Sequence, residues 1–297
     1  MKQLVANLQG GLGNQCFIYA TARALSLRAA SSLKLNCDFF AEDSVYKRKF
    51  ALGSFHVAGE LERLSIKPIR VLKRLRYKLL KTRTDRFANI CFDRLPYQFR
   101  VLPTEWKGAM SLDGYWQSEE YFADAQRQLV EDFQLKDNQW LASDAVARQI
   151  AATENSIFLH ARSYTDIPGK QDYSNALPIS YYVNALAYLR REVKGGTVFL
   201  FSDDIKWAND RLAGVVRDAG YDCIPVGSET NPGGVTDQLR DFTLMRLCKH
   251  GILADSSFSW WAGWLGEYEH TDAIRIRVNR VVMNRDYWPE RWVAIDA

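Results

Sequence analysis

The second half of the chain alternates short apolar runs with longer amphipathic stretches. Residues 156–161 hold Ile157-Phe158-Leu159-His160-Ala161, an almost unbroken apolar run that predicts a strand buried on both faces. The rhythm then repeats. Apolar runs at 197–201, 222–226, 251–254 and 273–277 predict strands, and amphipathic stretches at 180–193, 205–219, 237–249 and 258–266 predict helices. Ser180 stands where the first of these helices would take its N-cap, and Gly195-Gly196 where it would end. Strands and helices of these lengths in strict alternation predict an α/β fold with a parallel, doubly wound sheet.

The first half is less regular. Leu4 to Leu8 reads as a strand, Gln9 to Gln15 as a glycine-rich loop, and Cys16 to Ala30 as a helix, because Phe17, Ala20, Ala24 and Leu27 recur at helical spacing. Ser32 to Asn36 and Met110 to Tyr115 predict two more strands. Ser118 suits the cap of the segment that follows, and a helix is expected over about 139–150. Residues 37–65 show no period. Residues 66–83 carry eight Lys and Arg and no acid, with Ile69, Leu72, Leu75 and Leu79 on one side. Such a segment suits either a membrane surface or a solvated helix packed by its leucines. The polar run 151–155 puts a domain boundary near 150, giving an N-terminal α/β domain, 1–150, and a C-terminal Rossmann-like domain, 151–297.

Composition narrows the class. At 297 residues, 47% hydrophobic and 25% charged, the chain is an ordinary globular one of two domains or one large domain. A net charge of +4 is too weak to imply nucleic acid. The five cysteines are scattered and include no Cys-x-x-Cys, which argues for a reducing compartment without a disulfide framework or zinc site. No secretory leader is visible, and no apolar run approaches the roughly 20 residues that span a bilayer. The expected location is cytoplasmic, with peripheral contact at the inner face of the membrane through 66–83 as a further expectation.

Candidate chemistry gathers at three predicted strand ends. The first run leads into His160, Arg162 and Asp166, the second into Ser202-Asp203-Asp204, the fourth into Asp255-Ser256-Ser257-Phe258. In an open parallel sheet ligands bind outside the carboxyl ends of the strands, so all three clusters share one edge. Arg162 can hold a diphosphate with a bidentate fork. Ser256 and Ser257, entering a helix, offer hydroxyls and N–H groups to the same oxygens. A carboxylate at Asp203 or Asp204 would repel phosphate, so it is expected further off, facing a base or ribose. Asp203, Asp204 and Ser256 equally suit plain helix caps, and His160 an interior histidine. Gly11 and Gly13 suit close approach of an anion, although the third position of a dinucleotide fingerprint holds Cys16 and no P-loop lysine follows. A ligand-free turn is an equal reading. No Asp-x-Asp pair occurs, which favours a metal-independent site.

Several stretches resemble glycosyltransferase family 11, the α-1,2-fucosyltransferases. They are Gly10-Gly11-Leu12-Gly13-Asn14-Gln15-x-Phe17, Tyr115-Trp116-Gln117-Ser118-Glu119-x-Tyr121-Phe122, Phe201-Ser202-Asp203-Asp204, Leu247-Cys248-Lys249-His250, and Asp255-Ser256-Ser257-Phe258-Ser259-Trp260-Trp261-Ala262-Gly263-Trp264-Leu265. The resemblance spans most of the chain except about 37–105. It implies a GT-B-like fold of two Rossmann-like domains. The donor, GDP-β-L-fucose, would sit at the carboxyl ends of the C-terminal sheet, and the acceptor side would lie in 1–150. It also implies inversion, no metal and no cofactor, and transfer to the 2-hydroxyl of a galactose-containing glycan, lipid-linked acceptors and bacterial surface-glycan synthesis included. Donor contacts are then expected from Gly11, Gly13, Asn14, His160, Arg162, Asp203, Asp204, Ser256, Ser257 and Phe258. Arg162 would lie on the diphosphate, and Asp166 would be the general base, with Asp172 or a donor phosphate oxygen as substitutes. The chain departs from the family's His-x-Arg-Arg-x-Asp pattern at Ser163, has an extra residue before Asp166, and carries Asp255 where Asn is common. Transfer of another sugar or linkage, a non-catalytic nucleotide-sugar binder and a dinucleotide-dependent oxidoreductase are the alternatives.

Overall fold

The computed structural model describes residues 2–62, 86–87, 90–93, 98–165, 173–228, 231, 235–280 and 285–297. Within them the chain forms two compact units. The first comprises Met1–Lys136 with Val281–Pro289, and the second Asp137–Arg280 with Glu290–Ala297. The basic stretch 66–83, Asp166 and Asp172 lie outside the described residues. Among the described residues no helix is long and apolar enough to cross a membrane.

The first unit is built on a six-stranded sheet of β1 (Gln3–Asn7), β2 (Ser32–Asn36), β3 (Glu60–Glu62), β4 (Arg86–Phe87), β5 (Ile90–Phe92) and β6 (Ala109–Asp113). Its order is β3-β2-β1-β6-β5-β4, with every pair parallel except β4–β5. Helix α1 (Leu12–Arg28) packs on β1 and β2. It begins four residues before the expected Cys16, because extended Gly11 caps it and the Gly11 carbonyl accepts the first helical bond, from the Gln15 N–H. The offset follows from burial all round: Cys16, Phe17, Ile18, Tyr19 and Ala20 are all sealed, so no polar face marks the start. Among the described residues the short helices α2 (Asp38–Glu42) and α3 (Gln126–Asp132) complete the unit's regular helices. Ser118 caps a 3₁₀ turn, Glu119–Tyr121, by accepting the Glu120 N–H.

The second unit carries β7 (Ser156–Ala161), β8 (Thr197–Ser202), β9 (Asp222–Pro225), β10 (His250–Ile252), β11 (Arg275–Val278) and β12 (Val293–Ile295), ordered β12-β11-β10-β7-β8-β9 and wholly parallel. The doubly wound expectation therefore holds, with β12 an added strand from the tail. Helices α4 (Trp140–Ser143), α5 (Ala145–Ala152), α6 (Ile179–Glu192), α7 (Ile205–Asp218), α8 (Asp237–Leu247) and α9 (Ser257–Gly266) connect and cover it. Ser180 does not cap α6. The N-cap is Pro178, which holds extended φ and ψ, and Ser180 falls inside the first turn.

The division falls at 136/137 instead of near 150, and the expected helix 139–150 is broken, both because of Asp144. Its Oδ1 accepts from the Val146 and Ala147 N–H groups and caps α5, while Oδ2 takes the Arg240 Nε–H of α8 at 2.7 Å. Asp144 is 0% and Arg240 1% exposed. A buried pair of this kind ties 137–152 to the second sheet's helices. Asp144→Ala should remove the cap and strand the guanidinium in the interior, lowering stability by about 3–5 kcal/mol. Urea unfolding of the whole chain measures it, and a loss under about 1 kcal/mol contradicts the assignment.

Candidate functional site

In each sheet the chain builds outward on one side, then returns to build the other. The strand order therefore reverses between β1 and β6 in the first unit and between β7 and β10 in the second. Loops diverge at such a point and leave a crevice outside the carboxyl ends. In the second unit the sequence-predicted residues His160, Arg162, Asp203, Asp204, Ser256, Ser257 and Phe258 all fall at that edge.

Their contacts sort them. Arg162 leaves β7 and places Nη1 2.7 Å from Oδ2 of Asp203, with side-chain exposures of 17% and 11%. Asp203 also accepts from the Ser163 N–H at 2.7 Å and the Tyr164 N–H at 3.0 Å. Asp203, expected to face a base or ribose, is bound to the Arg162 guanidinium itself. The register pairs Ala161 with Ser202, so the next residues of both strands emerge side by side, and opposite charges at that spacing pair. Asp204 acts locally. Its Oδ1 accepts the Trp207 N–H and caps α7, and its Oδ2 accepts from the Tyr173 hydroxyl at 3.0 Å. Ser256 is likewise a cap, accepting the Phe258 N–H at 3.3 Å. Phe258 packs against His160 and Phe242, at centroid distances of 5.7 and 5.5 Å.

Two tyrosines belong to the site without having stood out in the sequence. Tyr164 has φ of +64°, lies 5.3 Å under the Arg162 guanidinium, and donates its hydroxyl to the Asp255 carbonyl, joining the ends of β7 and β10. Burial pushes that phenol up to about 12. Tyr173 has φ of +58° and stacks on Trp207 at 5.3 Å and 11°. The left-handed backbone is visible only in three dimensions, since both positions are ordinary aromatic residues in sequence. Asp255 is raised by burial, against an opposing effect of Arg280, 3.7 Å away.

His160 is an interior residue. Burial first, and the Arg162 charge second, push its imidazole down to about 3. Its Nδ1 is sealed without a hydrogen-bond partner. At neutral pH it is an uncharged ring beneath the arginine.

In the first unit Gly11, Gly13 and Asn14 lie in and just before the first turn of α1, at the carboxyl end of β1. Gly10 has φ of +75°, and a side chain there would meet Asn14 Nδ2 at 2.8 Å. Asn14 Oδ1 accepts from Gln117 Nε2 at 2.9 Å, tying the turn after β6 to the start of α1. Among the described residues no group of three His, Cys, Asp or Glu side chains could hold a metal ion.

Comparison with known proteins agrees with this architecture. The family model described as glycosyl transferase family 11 matches residues 4–295. The alpha-1,2-colitosyltransferase of Escherichia coli is 29% identical over 309 residues, covering 100% of both chains. The O-antigen biosynthesis glycosyltransferase WbnK of Escherichia coli is 28% identical over 305 residues, covering 95% of this chain and 98% of its own. Among solved structures, a mutant of Arabidopsis thaliana FUT1 in complex with GDP shares the fold at a TM-score of 0.51 and 11% identity, over 89% of this chain and 68% of that one.

The low imidazole value has a sign. His160 binds a proton in the unfolded chain below about 6.5 but in the folded chain only near 3, so it withdraws stability as the pH falls through that interval. Histidine-resolved NMR should show its ring shifts flat from pH 5 to 8, and a midpoint above 5 contradicts the placement.

Proposed function

The chain belongs to glycosyl transferase family 11, and from that premise we propose that it transfers L-fucose from GDP-β-L-fucose to the 2-hydroxyl of a galactoside, with inversion. The observation that carries this reading is the Arg162 guanidinium, pinned by Asp203 at the point where β7 and β10 part, with the capped first turn of α9 opening from the same edge. A fixed guanidinium and a helix N-terminus suit a diphosphate. Negative charge grows on the departing β-phosphate in an oxocarbenium-like transition state, and preorganised donors stabilise it as it forms. Such donors take the place of a divalent cation, so the reaction needs no metal. Gly11, Gly13 and Asn14 remain the sequence's candidates for donor contact in the first unit, and Asp166, with Asp172 or a donor phosphate oxygen behind it, is the sequence's candidate for the acceptor proton.

A second reading follows from the colitosyltransferase likeness over the full length of both chains. Colitose is L-fucose without the 3-hydroxyl, so GDP-colitose fits the same diphosphate site. A site that hydrogen-bonds that hydroxyl would reject the deoxy sugar by about 10⁴–10⁵, whereas an apolar contact there would reject fucose by only ~10². The likeness to an O-antigen glycosyltransferase supports a surface-glycan acceptor, lipid-linked acceptors included.

Assay of both donors against β-galactosyl disaccharides separates the readings, and transfer of neither sugar overturns them together. Turnover should survive EDTA. If Mg²⁺ or Mn²⁺ restored most of a lost activity, the metal-free mechanism would be wrong. Arg162→Lys should lower turnover at least ~100-fold although charge is kept, because an ammonium cannot reproduce the planar fork. Near-normal turnover of that variant removes Arg162 from the diphosphate.

A further inference from the structure

The first turn of α7 sets a flat aromatic face beside a carboxylate, and one side chain engages both. Asp204 caps the helix through Oδ1, which accepts the Trp207 N–H at 3.0 Å. The cap fixes the indole close to the carboxyl end of β8 and leaves Oδ2 to a donor from outside the helix. That donor is the hydroxyl of Tyr173, a residue of the connection from β7 to α6, at 3.0 Å. The Tyr173 ring lies along the indole, with centroids 5.3 Å and planes 11° apart.

Burial does not account for this stack. Trp260 and Trp264 lie as nearly parallel, at 12°, but both are 0% exposed and pack the core. Tyr173 is 38% exposed. Its φ of +58° is costly for a bulky residue, where glycine would bear no penalty. Two contacts thus hold the tyrosine in place against its own backbone. The place itself is informative. β8 neighbours β7, whose end carries Arg162, and β7 neighbours β10, where the strand order reverses. Adjacent strands lie about 4.8 Å apart. A nucleotide with its diphosphate between the ends of β7 and β10 therefore reaches the end of β8 with its base, one ribose further on. Tyr173, Asp204, Trp207 and Arg162 all belong to the second unit.

We propose that Trp207 is the stacking platform for the donor's base, that Asp204 Oδ2 accepts that base's N–H donors, and that Tyr173 holds both places until the nucleotide displaces it. This rests on the reading of the chain as a GDP-sugar transferase. The phenol copies a bound base in two respects, a flat face on the indole and a donor on the carboxylate. The carboxylate also selects among bases, because it only accepts. Guanine sets N1–H and its 2-amino group side by side. Adenine sets its 6-amino group beside a bare N1, whose lone pair the carboxylate repels. A purine covers more of the indole than a phenol does, and the departing Tyr173 leaves its left-handed backbone, so the exchange favours the nucleotide.

Calorimetry on the full chain with GDP, ADP and guanosine tests this. The parent should bind GDP at least ~10-fold more tightly than ADP, since a bare acceptor on the carboxylate leaves two polar groups unpaired. Trp207→Leu should weaken GDP and guanosine about 5- to 100-fold, the scale of base stacking. Trp207→Phe keeps a flat ring and should restore most of that loss, which separates stacking from packing. Asp204→Asn keeps an oxygen for the helix cap but turns a donor toward the base, so GDP should weaken and ADP tighten. Tyr173→Ala carries the distinctive sign. With the competing ring removed, guanosine should bind more tightly, on the order of 10-fold. Guanosine bound equally or more weakly by Tyr173→Ala overturns the displacement. Trp207→Leu within twofold of the parent, or no better binding by Trp207→Phe, overturns the platform. The parent's own preference needs no variant, and equal binding of ADP and GDP overturns the base site. These affinities are read without turnover. A parent that shows them but transfers neither fucose nor colitose removes the transfer reading and leaves the base site standing.

Discussion

One carboxylate holds the carboxyl edge of the second sheet together. Asp203 accepts a guanidinium nitrogen and two successive backbone N–H groups. These donors converge because β7 and β8 pair in register to their last residues, so the turn after β7 emerges beside the Asp203 carboxylate. The left-handed φ of Tyr164 is strain for a bulky residue, tolerated because its backbone N–H is bonded to Asp203 and its side-chain hydroxyl to the Asp255 carbonyl. Through that hydroxyl the turn reaches the end of β10, so three strand ends share one bracing. A guanidinium so held loses little entropy on meeting an anion. Its charge is also partly spent on Asp203, so in the proposed diphosphate site the amides of the α9 first turn would share the work of holding a dianion.

The parts of this that could be read in the sequence are those that depend on neighbours. Apolar runs of strand length, each followed by a polar cluster, located the second sheet and the polar groups at its carboxyl ends, and the caps at Asp204 and Ser256 follow from short-range geometry. Contacts between residues far apart in sequence were not readable. Arg162 and Asp203 are separated by a whole helix, and spacing says nothing about which way a carboxylate turns. The start of α1 was obscured because that helix is buried on every side, so periodicity had no polar face to register. Asp144 looks like any surface Asp until Arg240 is brought to it, and with it went the domain boundary. Tyr173 was passed over because a lone aromatic in a connecting loop has no period to mark it. Only the folded chain lays its ring along Trp207.

The two sheets use the same topological device for different chemistry. Each reverses its strand order once and leaves polar groups at the reversal. The second unit's edge is ionic, with guanidinium, carboxylates and a helix terminus, so electrostatics would decide the affinity of an anion there. The first unit's edge is amide, glycine and one carboxyl, Asp113 at the end of β6, where hydrogen-bond geometry would matter more and ionic strength less. Binding to the two edges should therefore respond differently to salt.

The C-terminal tail affects how the molecule is made. Residues 285–289 belong to the first unit, where Tyr287 meets Phe17 at 6.0 Å and Asp286 accepts the Phe99 N–H. Residues 290–297 return to the second and supply its outer strand, β12. Domains of most multidomain chains finish in order as they leave the ribosome. Here part of the first unit's packing comes from a segment that follows most of the second unit in sequence. The six strands of the first sheet all precede residue 114, but the contacts of Tyr287 with Phe17 and of Asp286 with the Phe99 N–H can form only after β7 to β11 of the second sheet have been synthesised.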